Sequence, residues 1–113
     1  MGRRSASILI AALACGCSSQ AERELEAVKS ARSVLSEWAL VEDQAASRRT
    51  PSNYTRQMRQ MARDQLKTAE SELAGQPQAA AELAQMRAGT PGAAALKNAA
   101  AALEPLEKQL ESS

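Results

Sequence analysis

From Ala21 onward the apolar residues fall at Ala21, Leu25, Val28, Ala31, Leu35, Trp38, Val41 and Ala45. Steps of three and four residues trace one face of an α-helix. Thr50-Pro51 ends this stripe, because the residue before a proline avoids the α region while proline itself opens a helix well. A second stripe follows at Tyr54, Met58, Met61, Ala62, Leu66, Ala69 and Leu73, predicting a helix from about Pro51 to Ala74, with Gly75 and Pro77 as its stop. Two helices of about 25 residues, each near 40 Å long at about 1.5 Å per residue, are joined by a short turn and so fold back as an antiparallel hairpin.

The charges fit that arrangement. Folding back sets Glu37, Glu42 and Asp43 beside Arg56, Arg59 and Arg63, and sets Lys29 and Arg32 opposite Glu70 and Glu72. Each exposed pair contributes only about 0 to 1 kcal/mol, yet together they disfavour a parallel pairing. Beyond the hairpin the chain turns alanine-rich. A short helix is predicted from about Pro77 to Ala88, then a break at Gly89-Thr90-Pro91-Gly92, with Thr90 as N-cap and Pro91 at the first position of a further helix. That last helix carries a sparse stripe, Leu96, Ala99, Leu103, Leu106 and Leu110, and Pro105 should kink it. The expected class is all-α: an antiparallel helical hairpin over residues 21–75 with a broken, alanine-rich third arm over 76–113, a loose three-helix bundle.

One strongly apolar run precedes all of this. Met1-Gly2-Arg3-Arg4 is followed by Ser5 to Ser7, then Ile8-Leu9-Ile10-Ala11-Ala12-Leu13-Ala14, and the run ends at Cys15-Gly16-Cys17-Ser18-Ser19. A basic start, about ten apolar residues and a small-residue end have the order of a secretory signal. The run is too short to persist as a spanning helix, which needs roughly 20 apolar residues. Ala12-Leu13-Ala14-Cys15 and Ala14-Cys15-Gly16-Cys17 each resemble a lipobox, the cleavage and lipidation site of bacterial lipoproteins. The resemblance implies a signal peptide over residues 1–16, a diacylated cysteine at the mature start, and a polar tether over 17–20. Cys17 is the favoured site because Gly16 precedes it and Ser18-Ser19-Gln20 follows; Cys15 is the alternative. Serine after Cys17 resembles the outer-membrane sorting pattern of Gram-negative lipoproteins, which implies an outer-membrane anchor facing the periplasm. At about 0.8 kcal/mol per buried methylene, two or three acyl chains hold a protein essentially permanently.

Composition narrows the chemistry. The chain has 113 residues, which allows one modest core. Its 14 basic residues nearly cancel its 13 acidic ones, so bulk charge gives no reason to expect nucleic acid as a partner. Histidine is absent, which removes the usual proton-transfer residue near neutral pH and the commonest metal ligand. The expectation is therefore a non-enzyme with no cofactor and no metal. After Cys17 the large apolar side chains are ten leucines, three valines, three methionines, one tryptophan and one tyrosine. At roughly 1.5 to 3 kcal/mol for each fully buried one, they scarcely offset the entropy of ordering the chain. Self-association, an envelope protein partner or the membrane surface is expected to help.

Two groups of side chains are candidates for function. Trp38 and Tyr54 stand near the hairpin tip, where they either both pack into the tip or line a partner's groove. Arg56, Arg59, Arg63 and Lys67 share a face of the second helix, where they either pair and solvate or hold anionic lipid or envelope polysaccharide. The expected role is a membrane-anchored helical lipoprotein acting by protein–protein contact, with anion binding by the arginine row as the alternative.

Overall fold

The structure, a computed structural model, describes the backbone of residues 2–112 and the side chains of residues 20–112. Cys15, Cys17 and the signal-like segment lie outside the residues whose side chains are described, so the account below concerns residues 20–112. The described chain is all-α: α1 (Gly2–Ala46), α2 (Ser52–Glu72), α3 (Pro77–Ala88), α4 (Ala93–Ala102) and α5 (Glu104–Glu111).

The hairpin forms where the prolines and glycines put it. α1 ends in a Schellman turn, in which the Arg49 amide donates to the Gln44 carbonyl at 2.9 Å and the Arg48 amide to the Ala45 carbonyl at 3.0 Å. The turn requires a left-handed residue between them, and Arg48 takes it at φ 56°. A side chain with a β-carbon is strained there. Pro51 is the N-cap of α2, and behind it Thr55 is buried, with its hydroxyl 3.0 Å from that of Thr50 and 3.2 Å from the Pro51 carbonyl. Polar groups at the tip are thus satisfied as the chain reverses. Among the described residues no buried side-chain nitrogen or oxygen lacks a partner.

α2 closes at Leu73, and Gly75 turns the chain tightly against α1, since a β-carbon on it would stand 2.9 Å from a carboxylate oxygen of Glu24. α3 then runs back along α2. Its partner segment does not continue in the same direction. Gly89 and Gly92 are extended (φ −99°, ψ −167° and φ −82°, ψ 174°), and the chain reverses across them, so that α4 and α5 run antiparallel to α1. The broken arm therefore occupies two positions, α3 against α2 and α4–α5 against α1, and the bundle has four rods in up-down-up-down order. Because the link stays extended through Gly92, that glycine is the N-cap of α4, and Thr90 and Pro91 remain outside the helix that they were expected to start. Pro105 does break the last rod: without an N–H it cannot continue the α4 ladder, and the chain restarts at Glu104 as α5.

The core is small side chains punctuated by large ones. Val28, Leu35 and Trp38 from α1, Leu66 and Leu73 from α2's end, Leu83 from α3, and Leu96 and Leu103 from α4's end are buried, with alanines Ala27, Ala31, Ala39, Ala62, Ala69, Ala79, Ala99 and Ala100 between them. Alanine lets neighbouring helices approach closely, and each large residue then fills the space between several rods.

Two stability measurements follow. Leu83 is fully buried and is the one leucine that α3 sends into the core, so Leu83→Ala is expected to cost about 2–5 kcal/mol, read from urea unfolding followed by Trp38 fluorescence. Arg48→Gly relieves the left-handed strain and is expected to raise stability by up to about 1 kcal/mol in the same assay.

Candidate functional site

The two aromatic candidates at the hairpin tip fall into different environments. Trp38 is 2% exposed and part of the core. Its indole N–H donates to Glu42 at 2.9 Å, one helical turn on. Tyr54 is 43% exposed; Thr55, one residue further round the helix, takes the buried position.

The arginine row divides as well. Arg59 forms a two-pronged pair with Glu42, its Nε 2.6 Å from Oε2 and its Nη2 2.8 Å from Oε1. This fork geometry is the strong form of the ion pair. It holds the Glu42 carboxyl below the usual glutamate range: the Arg59 hydrogen bond lowers it most, partial burial opposes, and the Trp38 N–H lowers it further. Arg63 lies over the Trp38 ring, its guanidinium carbon 5.2 Å from the centroid. The same side chain reaches across to α3 and donates to the carbonyls of Arg87 (Nε, 3.2 Å) and Gly89 (Nη2, 3.3 Å). It caps the electronegative carboxyl end of a neighbouring helix. Arg56 and Lys67 are exposed.

Three of these arginines meet around one opening. A cleft of about 280 Å³ is lined by Arg56, Arg59 and Arg63 on α2, by Trp38 and Glu42 on α1, and by Gln60, Thr90 and Pro91 at its rim. Lys67 is outside it. The α3–α4 link supplies the far wall, which no spacing within the hairpin could have announced.

Most of the other expected pairs are exchanged for contacts with the arm. Arg32 does not meet Glu70 or Glu72; it donates to the Ala100 carbonyl at 3.1 Å and pairs with Glu107 at 2.8 Å. That bond holds Glu107 below the usual glutamate range, against some desolvation. Glu70 pairs with Arg87 of α3 at 2.5 Å, and Asp43 with Lys97 of α4 at 3.5 Å. Only Glu42–Arg59 joins the two hairpin helices as expected. The physical reason is position: α3 and α4 flank the hairpin and bring competing partners within reach of long side chains.

A second surface lies along the outer seam of α1 and α2. Ser30, Ser33, Glu37, Gln65 and Thr68 line a shallow groove that widens below into one of about 610 Å³, edged by Glu22, Glu26 and Glu72. Extending the register upward puts Leu40 and Met61 on the same two rows, since Leu40 is seven residues beyond Ser33 and Met61 four before Gln65. They stand level with each other, 57% and 52% exposed. Leu40 was absent from the predicted stripe because it lies within the continuous apolar run Trp38-Ala39-Leu40-Val41, where helical spacing assigned Trp38 and Val41 inward.

Among the described residues there is no group of three histidine, cysteine, aspartate or glutamate side chains placed to hold a metal, and no helix long and apolar enough to cross a membrane. Comparison with known proteins shows no family model, curated protein or solved structure that matches the chain.

The Glu42 pair makes a pH prediction. A carboxyl whose folded pKa is depressed contributes stability above its unfolded pKa, and that contribution is lost as pH falls through the folded value. Stability is therefore expected to fall from the ordinary glutamate range downward, and Glu42→Gln should flatten part of that slope while lowering stability at neutral pH. Urea unfolding at a series of acidic pH values measures both.

Proposed function

We propose that this chain is a membrane-anchored helical lipoprotein of the cell envelope that works by protein–protein contact, tied through Cys17, or Cys15, to the outer membrane and facing the periplasm. The observation that carries the contact role is the upper α1–α2 seam, where Leu40 and Met61 stand level and more than half exposed although large apolar residues are scarce elsewhere in the chain. A bundle with so thin a core has more to gain by covering these residues than by leaving them in water. The anchor rests on the basic start, the apolar run and the small residues around the two cysteines.

A second reading, binding of anionic lipid or envelope polysaccharide, is supported by the cleft that gathers Arg56, Arg59 and Arg63. It does not use the four-residue row as a flat surface, because Arg59 and Arg63 are engaged inside the bundle and Lys67 stands apart. Glu42 is 22 residues beyond Gln20, about 33 Å along α1, so the cleft is far from an anchor upstream of Gln20.

Mass spectrometry of the membrane-extracted protein tests the anchor: an acylated Cys17 or Cys15 at the mature start supports it, and bare cysteines with the first residues retained would remove it. Mild crosslinking of membranes followed by purification tests the contact. Adducts of a second copy or of an envelope protein are expected, and Leu40→Glu with Met61→Glu should abolish them without changing the helical circular dichroism. Adducts that persist unchanged in that double variant would place the contact elsewhere.

A further inference from the structure

We propose that the cleft at the hairpin tip is a discrete binding site for one phosphate-type dianion, held by the unused edges of Arg59 and Arg63 and closed by Arg56. The proposal rests on the second reading above and narrows it from a basic surface to a single site. Arg59 gives Nε and Nη2 to Glu42, and Arg63 gives Nε and Nη2 to the carbonyls of Arg87 and Gly89. Each therefore uses the same edge structurally and leaves the two N–H groups of Nη1 without a bond. Arg59 and Arg63 are four residues apart on one face of α2, and both line the same cleft. Both are fixed in advance, one by a carboxylate and the other by a helix end and the Trp38 ring. A pair of immobilised forks is the arrangement that recognises a tetrahedral oxyanion at low entropic cost.

Charge and size agree on the ligand class. Three guanidinium groups face one carboxylate, Glu42, leaving two positive charges for an incoming group. The wall from the α3–α4 link adds Thr90 and Pro91 and no carboxylate. At about 280 Å³ the cleft lies at the lower end of small-molecule pockets, roughly 300 Å³, so it admits one phosphate with a small substituent and not a polymer chain. Arg56 has no structural bond and lies on the exposed rim, one turn before Arg59, where it can fold over a bound group. Such a phosphate has two sources, a soluble phosphate ester or a lipid headgroup.

Trp38 lines the cleft and is the single tryptophan of the chain, so its fluorescence reports occupancy directly. The full chain, reconstituted in phosphatidylcholine nanodiscs at low ionic strength, is titrated in one arm with inorganic phosphate and glycerol 3-phosphate. In the other arm it is titrated with phosphatidylcholine vesicles containing phosphatidic acid. Saturable change in the first arm assigns a soluble ester, and saturable change in the second alone assigns a headgroup. In either case Arg56→Gln is expected to weaken binding about tenfold, as loss of a charge-assisted hydrogen bond does, while Lys67→Gln leaves it unchanged. Arg56→Gln removes no contact of the folded bundle, and unchanged thermal unfolding checks that. No saturable change in either arm overturns the proposal together with the second reading. Vesicle binding weakened equally by Arg56→Gln and Lys67→Gln overturns the site alone and leaves a diffuse basic surface.

Discussion

Alanine sets the terms on which this bundle holds together. A rod faced with alanine approaches its neighbours closely, yet it removes little apolar surface from water, so leucines at wide intervals and a single tryptophan must supply most of the hydrophobic driving force. The polar contribution is placed where it counts for docking. Arg32 of α1 reaches the Ala100 carbonyl near the end of α4, and Arg63 of α2 reaches the last carbonyls of α3. Arg63 supplies donors to the α3 end and Arg32 adds a donor to the Ala100 carbonyl, which also accepts the Leu103 amide, with the dipole favouring the cation at both ends. The alanine-rich arm is thereby held at both its halves by an arginine from the hairpin.

This use of arginine shapes the surface that remains. Drawing Arg63 inward over Trp38 and tying Arg59 to Glu42 breaks the basic face of α2 into a preorganised pair inside a cleft and two separate exposed charges. The structural bonds of Arg59 and Arg63 use Nε and Nη2 of each guanidinium. On the opposite side of the hairpin the outer seam keeps its apolar residues, because neither half of the arm covers it. Two distinct surfaces, a polar cleft and an open apolar seam, result from where the arm docks.

Much of the architecture was legible residue by residue. Pro51, Gly75-Gln76-Pro77 and Gly89 to Gly92 mark every reversal, and the predicted bounds of α3 match the observed Pro77–Ala88. Every member of the α1 stripe from Val28 to Val41 is buried, and Val34 and Ala39, which the stripe left out, are buried beside them. The α2 stripe is less well read. Ala62, Leu66, Ala69 and Leu73 of that stripe are buried as expected, whereas Tyr54 and Met61 are exposed and Met58 only half-buried, and Thr55, one residue and about 100° beyond Tyr54, takes the inward position. Size and hydrophobicity point to the methionines, but α2 packs between α1 and α3, and only the narrower direction between those two rods is closed to water. A one-sided hairpin reading cannot see the second neighbour.

Helix, turn and break are local events, decided by φ restriction at proline, freedom at glycine and the spacing of apolar residues, and the sequence by itself determined them. The reversal of the arm, the fate of each arginine and the existence of the tip cleft were decided only by tertiary structure. Long charged side chains reach several partners with similar energy, so their pairing depends on which helix end or carboxylate the packing of distant alanines and leucines brings within about 3 Å.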